Sequence, residues 1–193
     1  HLRIMPREPA IEADAVIGFV PSDHLIVKDQ HYREICTEAF DFAQKNDAIV
    51  TLGIHPGRPD TGFGYINYNK KCTTGHIHKV ISFREKPDLA TAEQFIQSGD
   101  YLWNAGMFFM SIRTLLHNYK LHAPALYDML TPFLSAGEEK VPGLIKELYP
   151  ATPNLSIDYA IIEKAEDVYT IPSDIGWSDL GTWNSLFQQV EKD

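Results

Sequence analysis

Cysteine is scarce in this sequence, and long apolar runs are missing from it. Only Cys36 and Cys72 occur among the 193 residues, and they lack the spacing of a metal site. Two cysteines without a disulfide framework indicate a reducing compartment. A membrane-spanning helix needs about 20 consecutive apolar residues, and no run approaches that length. Because no signal peptide is visible either, we expect a cytoplasmic protein.

Positive charge is also in deficit. The 17 Lys and Arg residues stand against 26 Asp and Glu residues, which gives a net charge of −9. This balance excludes nucleic acids and anionic membranes as the main partners. Anionic phosphates can still bind such a protein if metal ions and a few local cations neutralise them.

Internal repeats and low-complexity linkers are absent as well, so nothing in the sequence divides the chain. Its hydrophobic content of 44% is enough for one domain with a core. We therefore expect a single domain over residues 1–193.

The order of the sequence patterns favours an α/β fold. Residues 15–20 and 48–54 are short apolar runs typical of buried strands. Between them, apolar residues recur at helical spacing from about Gln30 to Lys45, which predicts an amphipathic helix. Strand, helix and strand in this order predict a right-handed parallel crossover. The other predicted elements are strands at residues 79–85, 106–110 and 168–171, helices capped by Asp88, Ser111 and Ser156, a helix-rich stretch over 119–149 broken at Pro124, Pro132 and Pro142, and a last helix from Thr182.

The first residues do not fit this order. Residues 2–5 are typical of a strand, and only residues 6–14 separate them from the next one. A parallel crossover usually needs roughly a dozen residues or more. Either the two strands are not parallel neighbours, or a segment is absent near residues 9–12. Since the sequence also opens at His1 without a methionine, we expect it to be part of a longer protein.

Two acidic turns stand out at opposite ends of the sequence. In Gly-Trp-Ser-Asp-Leu-Gly-Thr-Trp, Asp179 lies between Trp177 and Trp183, so it is a candidate metal ligand or substrate contact. The alternative is a helix start with Thr182 as its N-cap and two core tryptophans. Asp23 follows the strand at residues 15–20, at the strand end where open α/β sheets bind ligands, and its carboxylate suits Mg²⁺. The alternative for Asp23 is a cap of a turn or of the next helix.

Other polar residues lie where strands begin or end. Phe63 sits between glycines, and Gly64 lets the backbone approach a ligand that the aromatic ring can cover; an ordinary loop is the alternative. Neighbouring strand residues point in opposite directions, so Glu85 and Lys86 are not expected to form a simple surface ion pair. A carboxylate suits sugar hydroxyls and an ammonium suits phosphate, although a solvated strand end explains both residues equally. A buried Asn104 needs partners from the backbone or a ligand, and Asp158 opens a helix that it could simply stabilise.

In this order the segments closely resemble the mannose-1-phosphate guanylyltransferases. The resemblance rests on the motifs VPSDH, TLGIHPGRPDTGFGYI, FREKP, YLWNAGMFFM, SIDYAIIEK and GWSDLGTW, and it covers the chain from residue 15 to its end. It implies a Rossmann-like nucleotidyltransferase fold with a mixed, mostly parallel central sheet and helices on both faces. The GWSD and SIDYA forms favour mannose 1-phosphate and GTP over the substrates of the glucose enzymes.

The resemblance also implies a reaction and a set of roles. GMP would pass from GTP to mannose 1-phosphate, giving GDP-mannose and pyrophosphate. Asp23 and Asp179 would be the catalytic residues and would hold Mg²⁺ between the two phosphates. The sugar and its phosphate would be bound by Phe63, Gly64, Glu85, Lys86, Asn104 and Asp158. The partners would be these two substrates, without nucleic acid or membrane, and a homodimer stays open.

The sequence departs from the family pattern in four respects. A glycine-rich loop with Arg and Lys for the triphosphate is missing, and so is an Arg-Asn-Thr-Ala-Pro turn expected near Pro9. Ala105 replaces the usual Ser, and Phe63 replaces a common Tyr. We therefore expect the fold to lack its first strand and most of the nucleotide half of its site.

Three other interpretations stay open. The chain could be another sugar-1-phosphate nucleotidyltransferase. A metal-dependent glycosyltransferase would need an acidic pair close in sequence, and Pro-Ser-Asp-His supplies only Asp23. A catalytically inactive regulatory subunit that binds nucleotide sugars could lack the triphosphate loop altogether.

Overall fold

The computed structural model describes residues 14–181 of the chain. Its strands are β1 (Val16–Phe19), β2 (Leu25–Ile26), β3 (Ile49–Ile54), β4 (Tyr65–Thr74), β5 (Ile77–Arg84), β6 (Tyr101–Ser111), β7 (Val168–Pro172) and β8 (Trp177–Ser178). Its helices are α1 (Asp29–Lys45), α2 (Leu89–Ser98), α3 (Ile112–His122), α4 (Pro124–Ser135) and α5 (Val141–Leu148). The strand predicted at residues 2–5, the seam near residues 9–12 and the helix predicted from Thr182 lie outside the described residues.

Six strands form the main sheet, in the order β1-β6-β3-β7-β5-β4. Because β6 also pairs with β4, five of these strands close into a ring. The sheet is mixed, as the resemblance implies, but its described pairs are mostly antiparallel rather than mostly parallel. Only β3 and β7 run in parallel among them. The reason is β6, which is long enough to pair with β1, β3 and β4 and is antiparallel to all three.

The predicted crossover from the first strand to the second is present in a modified form. Strands β1 and β3 share one direction, since each is antiparallel to β6, and α1 connects β2 to β3. They are not neighbours, however, because β6 lies between them. The apolar pattern of the chain indicates which strands are buried but not which strand lies between two others.

Helical elements cover both faces of the sheet. On one face, α1 packs through Ile35, Ala39 and Ala43 against Val50 and Leu52. On the other face, Ile49, Phe108 and Met110 pack against Ile161 and Leu115. Because side chains alternate along a strand, consecutive apolar residues of β3 serve the two cores in turn. In the described part of the chain, no helix combines the length and the apolar character that crossing a membrane requires.

The predicted helix caps are confirmed in two of three cases. The side chains of Asp88 and Ser111 accept hydrogen bonds from the backbone N–H groups of Thr91 and Thr114, respectively. After Ser156 the predicted helix is present only as a short π-helical turn, Asp158–Ile162, and the Ser156 hydroxyl accepts a long hydrogen bond of 3.5 Å from the backbone N–H of Tyr159.

The prolines of the helix-rich stretch act differently from one another. Pro124 opens α4 and Pro142 lies in the first turn of α5, where proline is tolerated. The predicted break at Pro132 is wrong, because α4 continues through this residue. Pro132 is exposed, so water can bond the carbonyl group that loses its helical partner.

A gap along one edge of β6 is the feature of the sheet that matters for the site. Strand β3 occupies one edge of β6, whereas β1 and β4 share the other. The partners of β1 are residues 108–111, and those of β4 are residues 101–103. Residues 104–107 lie between, where Gly106 has a φ of 70° and breaks the strand geometry. Residues 104–106 of this short segment line a cleft.

Candidate functional site

A cleft of about 200 Å³ opens at the gap in β6. Six of the eight predicted site residues line it, namely Phe63, Gly64, Glu85, Asn104, Asp158 and Asp179. The other two touch lining residues: Lys86 pairs with Glu85, and Asp23 lies 4.0 Å from His24. The structure thus brings the eight residues together from six separate segments of the sequence.

Three larger cavities lie elsewhere: one of about 320 Å³ beside α3, one of about 420 Å³ at the end of α1, and one of about 660 Å³ between α1 and the β4–β5 turn. None of the three is lined by a predicted site residue. Volume alone does not mark a functional site. The smaller cleft is the better candidate, because it is lined by Glu85 and Asp158, two carboxylates whose pKa values are raised by burial.

The two acidic turns meet at the ribbon formed by β2 and β8. Leu25 pairs with Ser178 and Ile26 with Trp177 in antiparallel register. Asp23 precedes β2 and Asp179 follows β8, so both carboxylates lie at the same end of the ribbon. The indole Nε1 of Trp177 donates a hydrogen bond of 3.0 Å to Nδ1 of His24 and joins the two segments.

Glu85 is the most constrained of the cleft's carboxylates. Its side chain is 9% exposed, and Oε2 is buried without a hydrogen-bond partner. The Nζ atom of Lys86 lies 3.2 Å from the other oxygen, Oε1. The expectation that neighbouring residues point apart is wrong here, because β5 ends at Arg84 and Lys86 adopts a φ of 46°. This left-handed conformation allows the ammonium to meet the carboxylate of the preceding residue.

Gly64 leaves the space that the Glu85 carboxylate occupies. A Cβ atom at position 64 would overlap Oε2 of Glu85 and would come within 3.1 Å of Phe83. The carbonyl of Gly64 also accepts a hydrogen bond of 2.8 Å from the backbone N–H of Asn104. The glycine is therefore required by close packing around Glu85, not by an unusual φ angle.

Asn104 is buried, as predicted, but its partners are two side chains as well as the backbone. Its Oδ1 accepts hydrogen bonds from the Thr51 hydroxyl at 3.0 Å and from the Gly106 N–H at 3.1 Å. Its Nδ2 donates to Oδ1 of Asp158 at 3.0 Å. The network fixes the orientation of the amide, and it ties Asp158 to the central strand.

The electrostatics of the cleft are dominated by Glu85 and Asp158. Burial raises the pKa of Glu85, and the negative charge of Asp158 raises it further, whereas Lys86 acts in the opposite direction. Burial also raises the pKa of Asp158, and hydrogen bonds to its carboxylate oppose this shift. The two carboxylates therefore carry a desolvation cost that polar hydrogens of a ligand would relieve.

Aromatic rings wall the cleft on one side. Phe63 contacts Trp103 and Trp177 edge to face, at centroid distances of 4.9 and 5.3 Å. The sequence context of Trp177 predicts a pocket wall, and this residue does line the cleft. Trp183 lies outside the described residues.

Sequence reasoning missed three residues with contacts in the site. Thr51 is hidden in an apolar strand, His24 follows the acidic turn, and Glu163 accepts a hydrogen bond from the backbone of Glu85. Their partners lie 53, 153 and 78 positions away in the sequence, so no local pattern points to them.

The donor set at the end of the β2–β8 ribbon fits a hard cation. No cluster of three or more His, Cys, Asp or Glu side chains within residues 14–181 is arranged as a metal site. Mg²⁺ at phosphate-transfer sites usually needs only one or two carboxylates, because substrate phosphates and water complete its shell. Asp23 is 84% exposed and Asp179 lines the cleft, so both carboxylates are accessible.

Known proteins share this architecture. The structure described as mannose-1-phosphate geranyltransferase from Thermus thermophilus matches with a TM-score of 0.81 and 31% identity, over 92% of this chain and 50% of that chain. The fold is thus that of the nucleotidyltransferases. The sequence model of the nucleotidyl transferase family matches residues 6–193, and the chain belongs to this family.

Curated relatives cover the same region. The xanthan biosynthesis protein XanB of Xanthomonas campestris pv. campestris strain B100 is 35% identical over 182 residues, which is 93% of this chain and 38% of that protein. Mannose-1-phosphate guanylyltransferase of Escherichia coli K12 is 33% identical over 182 residues, or 92% of this chain and 38% of that protein. The chain therefore spans less than half the length of these relatives.

Proposed function

We propose that this chain transfers GMP from GTP to mannose 1-phosphate, with release of pyrophosphate and formation of GDP-mannose. One observation carries the proposal: six of the eight residues expected from the guanylyltransferase motifs line one cleft. The names of relatives at 33–34% identity support the choice of substrates. The cleft supplies the sugar-phosphate side of the reaction.

The polar groups of the cleft suit a hexose phosphate. Glu85 and Asp158 both line the cleft, and a carboxylate can accept hydrogen bonds from sugar hydroxyls. Asn104 keeps one amide hydrogen beyond its bond to Asp158. The ammonium of Lys86 is half-exposed beside Glu85, which suits the phosphate of the same ligand.

The chemistry requires positioning rather than a strong base. An oxygen of the mannose 1-phosphate group, already ionised, attacks the α-phosphorus of GTP. A new P–O bond forms, the bond between the α-phosphorus and its bridging oxygen to the β-phosphate breaks, and pyrophosphate leaves. Holding the attacking phosphate in line is therefore the main contribution of Lys86 and of the residues that orient the sugar.

Asp23 and Asp179 are the residues that would hold Mg²⁺. When bound, the ion would neutralise phosphate charge, which a protein of net charge −9 needs in order to accept two polyanions. The sequence lacks the glycine-rich loop that the family pattern places against the triphosphate, so the choice of GTP rests on the names of the relatives alone. A cytoplasmic location is also proposed, since Cys36 is a free thiol.

A substrate panel tests the proposal. The protein is incubated with each pair of mannose or glucose 1-phosphate and GTP, ATP or UTP, and pyrophosphate release is measured. The mannose 1-phosphate and GTP pair should be the fastest. A faster different pair would indicate another sugar-1-phosphate nucleotidyltransferase. Binding of GDP-mannose without any turnover would favour the regulatory interpretation.

A pair of lysine variants tests whether a cation beside the cleft matters more for the rate than a cation elsewhere on the surface. Lys86→Ala should lower the rate strongly, because it removes the cation beside Glu85. Lys70→Ala is the matched control, since Lys70 also pairs with a carboxylate, Asp100 at 2.8 Å, but on the exposed surface. Equal losses in both variants would contradict the assignment of the cleft.

A further inference from the structure

Glu163 connects the two segments that carry the cleft's carboxylates. Its Oε1 accepts a hydrogen bond of 2.8 Å from the backbone N–H of Glu85. Its own N–H donates a bond of 3.0 Å to the carbonyl of Asp158. One residue thus holds both the end of β5 and the π-helical turn, although it does not line the cleft itself.

The backbone at Glu85 needs such a partner. Strand β5 ends at Arg84, so the pairing with β4 no longer supplies an acceptor at the next residue. A half-buried N–H without a partner would cost free energy, and Glu163 supplies the acceptor. The next N–H, that of Lys86, donates to the carbonyl of Phe63 at 3.2 Å. Together the two bonds hold the strained Lys86 backbone, with its φ of 46°, in place.

The charge of Glu163 is not what the site needs. Its negative charge adds to that of Asp158 in disfavouring the ionised form of Glu85. A neutral acceptor of the same shape would serve the backbone N–H without this repulsion. The useful property of Glu163 is therefore the position of its oxygen atom.

We propose that Glu163 is a positioning residue that sets the geometry of the sugar-phosphate subsite by fixing the Glu85–Lys86 backbone against the Asp158 turn. The inference rests on the proposed function and extends it to a residue outside the cleft. Glu163 acts through Glu85 and Lys86 and touches neither substrate. Its loss should therefore affect the sugar phosphate and leave the nucleotide largely unaffected.

Two variants at one position test the inference by kinetics. Glu163→Ala removes the acceptor and should raise the KM for mannose 1-phosphate about tenfold, with the KM for GTP within about twofold of the parent value. Glu163→Gln keeps an acceptor oxygen and should retain the parent KM values. Glu166→Ala, an exposed Glu three positions away in the sequence, is the control for loop damage. Equal KM increases for both substrates, or a Gln variant as impaired as the Ala variant, would overturn the proposal.

Hydrogen exchange tests the same contact without any activity. Amide exchange over residues 83–87 should be faster in Glu163→Ala than in the parent, and unchanged in Glu163→Gln and Glu166→Ala. Unchanged exchange in Glu163→Ala would overturn the positioning role even if the enzyme is active. If the parent prefers another substrate pair, the proposed function fails, and the KM ratio measured with that pair still tests Glu163.

Discussion

Gly64 is packed so closely against Glu85 that no larger residue fits at this position without displacing a neighbour. Its Cα faces the buried Oε2 of Glu85, and a methyl group there would overlap that oxygen. The carboxylate cannot retreat freely, because its other oxygen is paired with Lys86. Small changes at this position are therefore transmitted directly to the proposed sugar contact.

Gly64→Ala should therefore weaken mannose 1-phosphate binding by displacing the Glu85 carboxylate. Losing a hydrogen bond to a charged group costs roughly 1.5–3 kcal/mol, which corresponds to about one to two decades in binding. Isothermal titration with mannose 1-phosphate measures the effect. Gly57→Ala is the matched control in the same loop, because a Cβ there meets nothing within 4 Å. Parent-like affinity in Gly64→Ala would contradict the role of Glu85.

Glu85 couples stability to pH in a direction that can be worked out. Burial, followed by the charge of Asp158, raises its pKa in the folded protein above the ordinary value of about 4.3. The folded state thus holds the proton more tightly than the unfolded chain. The resulting stabilisation is complete below the unfolded pKa and is lost as pH rises through the folded pKa.

Glu85→Gln removes this ionisation. The melting temperature of the variant minus that of the parent should therefore increase as pH rises from 4 to 8. The same variant should bind mannose 1-phosphate more weakly, because amide and carboxylate differ as hydroxyl acceptors. Thermal melts across the pH series give the difference. Glu147→Gln, at an exposed position on α5, should show no such trend. A constant difference between parent and Glu85→Gln would mean that the pKa of Glu85 is the same in the folded and the unfolded chain, which would contradict the upward shift.

At the scale of elements, short sequence patterns predicted those features that depend on interactions between residues close together in the sequence. The spacing of Ile35, Ala39 and Ala43 predicted α1, and Asp88 and Ser111 predicted two helix starts, because caps and apolar faces act within a few residues. The closed ring of strands was not predicted. It depends on β6 pairing with both β3 and β4, a choice made by packing across the whole sheet.

The candidate site shows the same division. Its residues were predicted by their motifs, but their contacts were not. Nothing local indicates that Lys86 turns back to Glu85, or that the two-residue strands β2 and β8 pair. Both features depend on neighbours that are distant in the sequence. The roles assigned to the eight site residues remain predictions.

The β2–β8 ribbon is the element that brings the two acidic turns together. Trp177→Phe should keep most of the apolar packing and lose the 3.0 Å bond to His24. The expected result is a loss of about 1 kcal/mol in the free energy of unfolding and a few-fold higher Mg²⁺ requirement. Chemical denaturation and a magnesium titration of turnover measure the two effects. Trp103→Phe is the control for ring size, since the Nε1 atom of Trp103 has no hydrogen-bond partner. A higher Mg²⁺ requirement in this variant too would contradict the proposed role of the Trp177–His24 bond in positioning the two acidic turns.

At the scale of the whole molecule, the charge balance conflicts with the proposed substrates. The chain carries a net charge of −9, and the cleft adds the carboxylates of Glu85 and Asp158 to this field. Lys86 lies beside the cleft but is already paired with Glu85. Bringing two phosphorylated ligands together under these conditions requires a further cation.

Removing divalent metal should therefore abolish turnover, and adding Mg²⁺ should restore it. Excess EDTA is expected to stop pyrophosphate release from GTP and mannose 1-phosphate without lowering the melting temperature, because the carboxylates involved lie at the surface of the β2–β8 ribbon and not in a core.

Asp23→Asn and Asp179→Asn should each greatly reduce turnover at ordinary magnesium and need more Mg²⁺ for half-maximal rate, since each loses an anionic ligand. Asp128→Asn, an exposed residue on α4, makes the same chemical change far from both turns in the sequence and should behave like the parent. Full activity of either ribbon variant at ordinary magnesium would exclude that residue as a metal ligand. Full activity in EDTA would show that the protein binds its two phosphorylated substrates without a divalent cation.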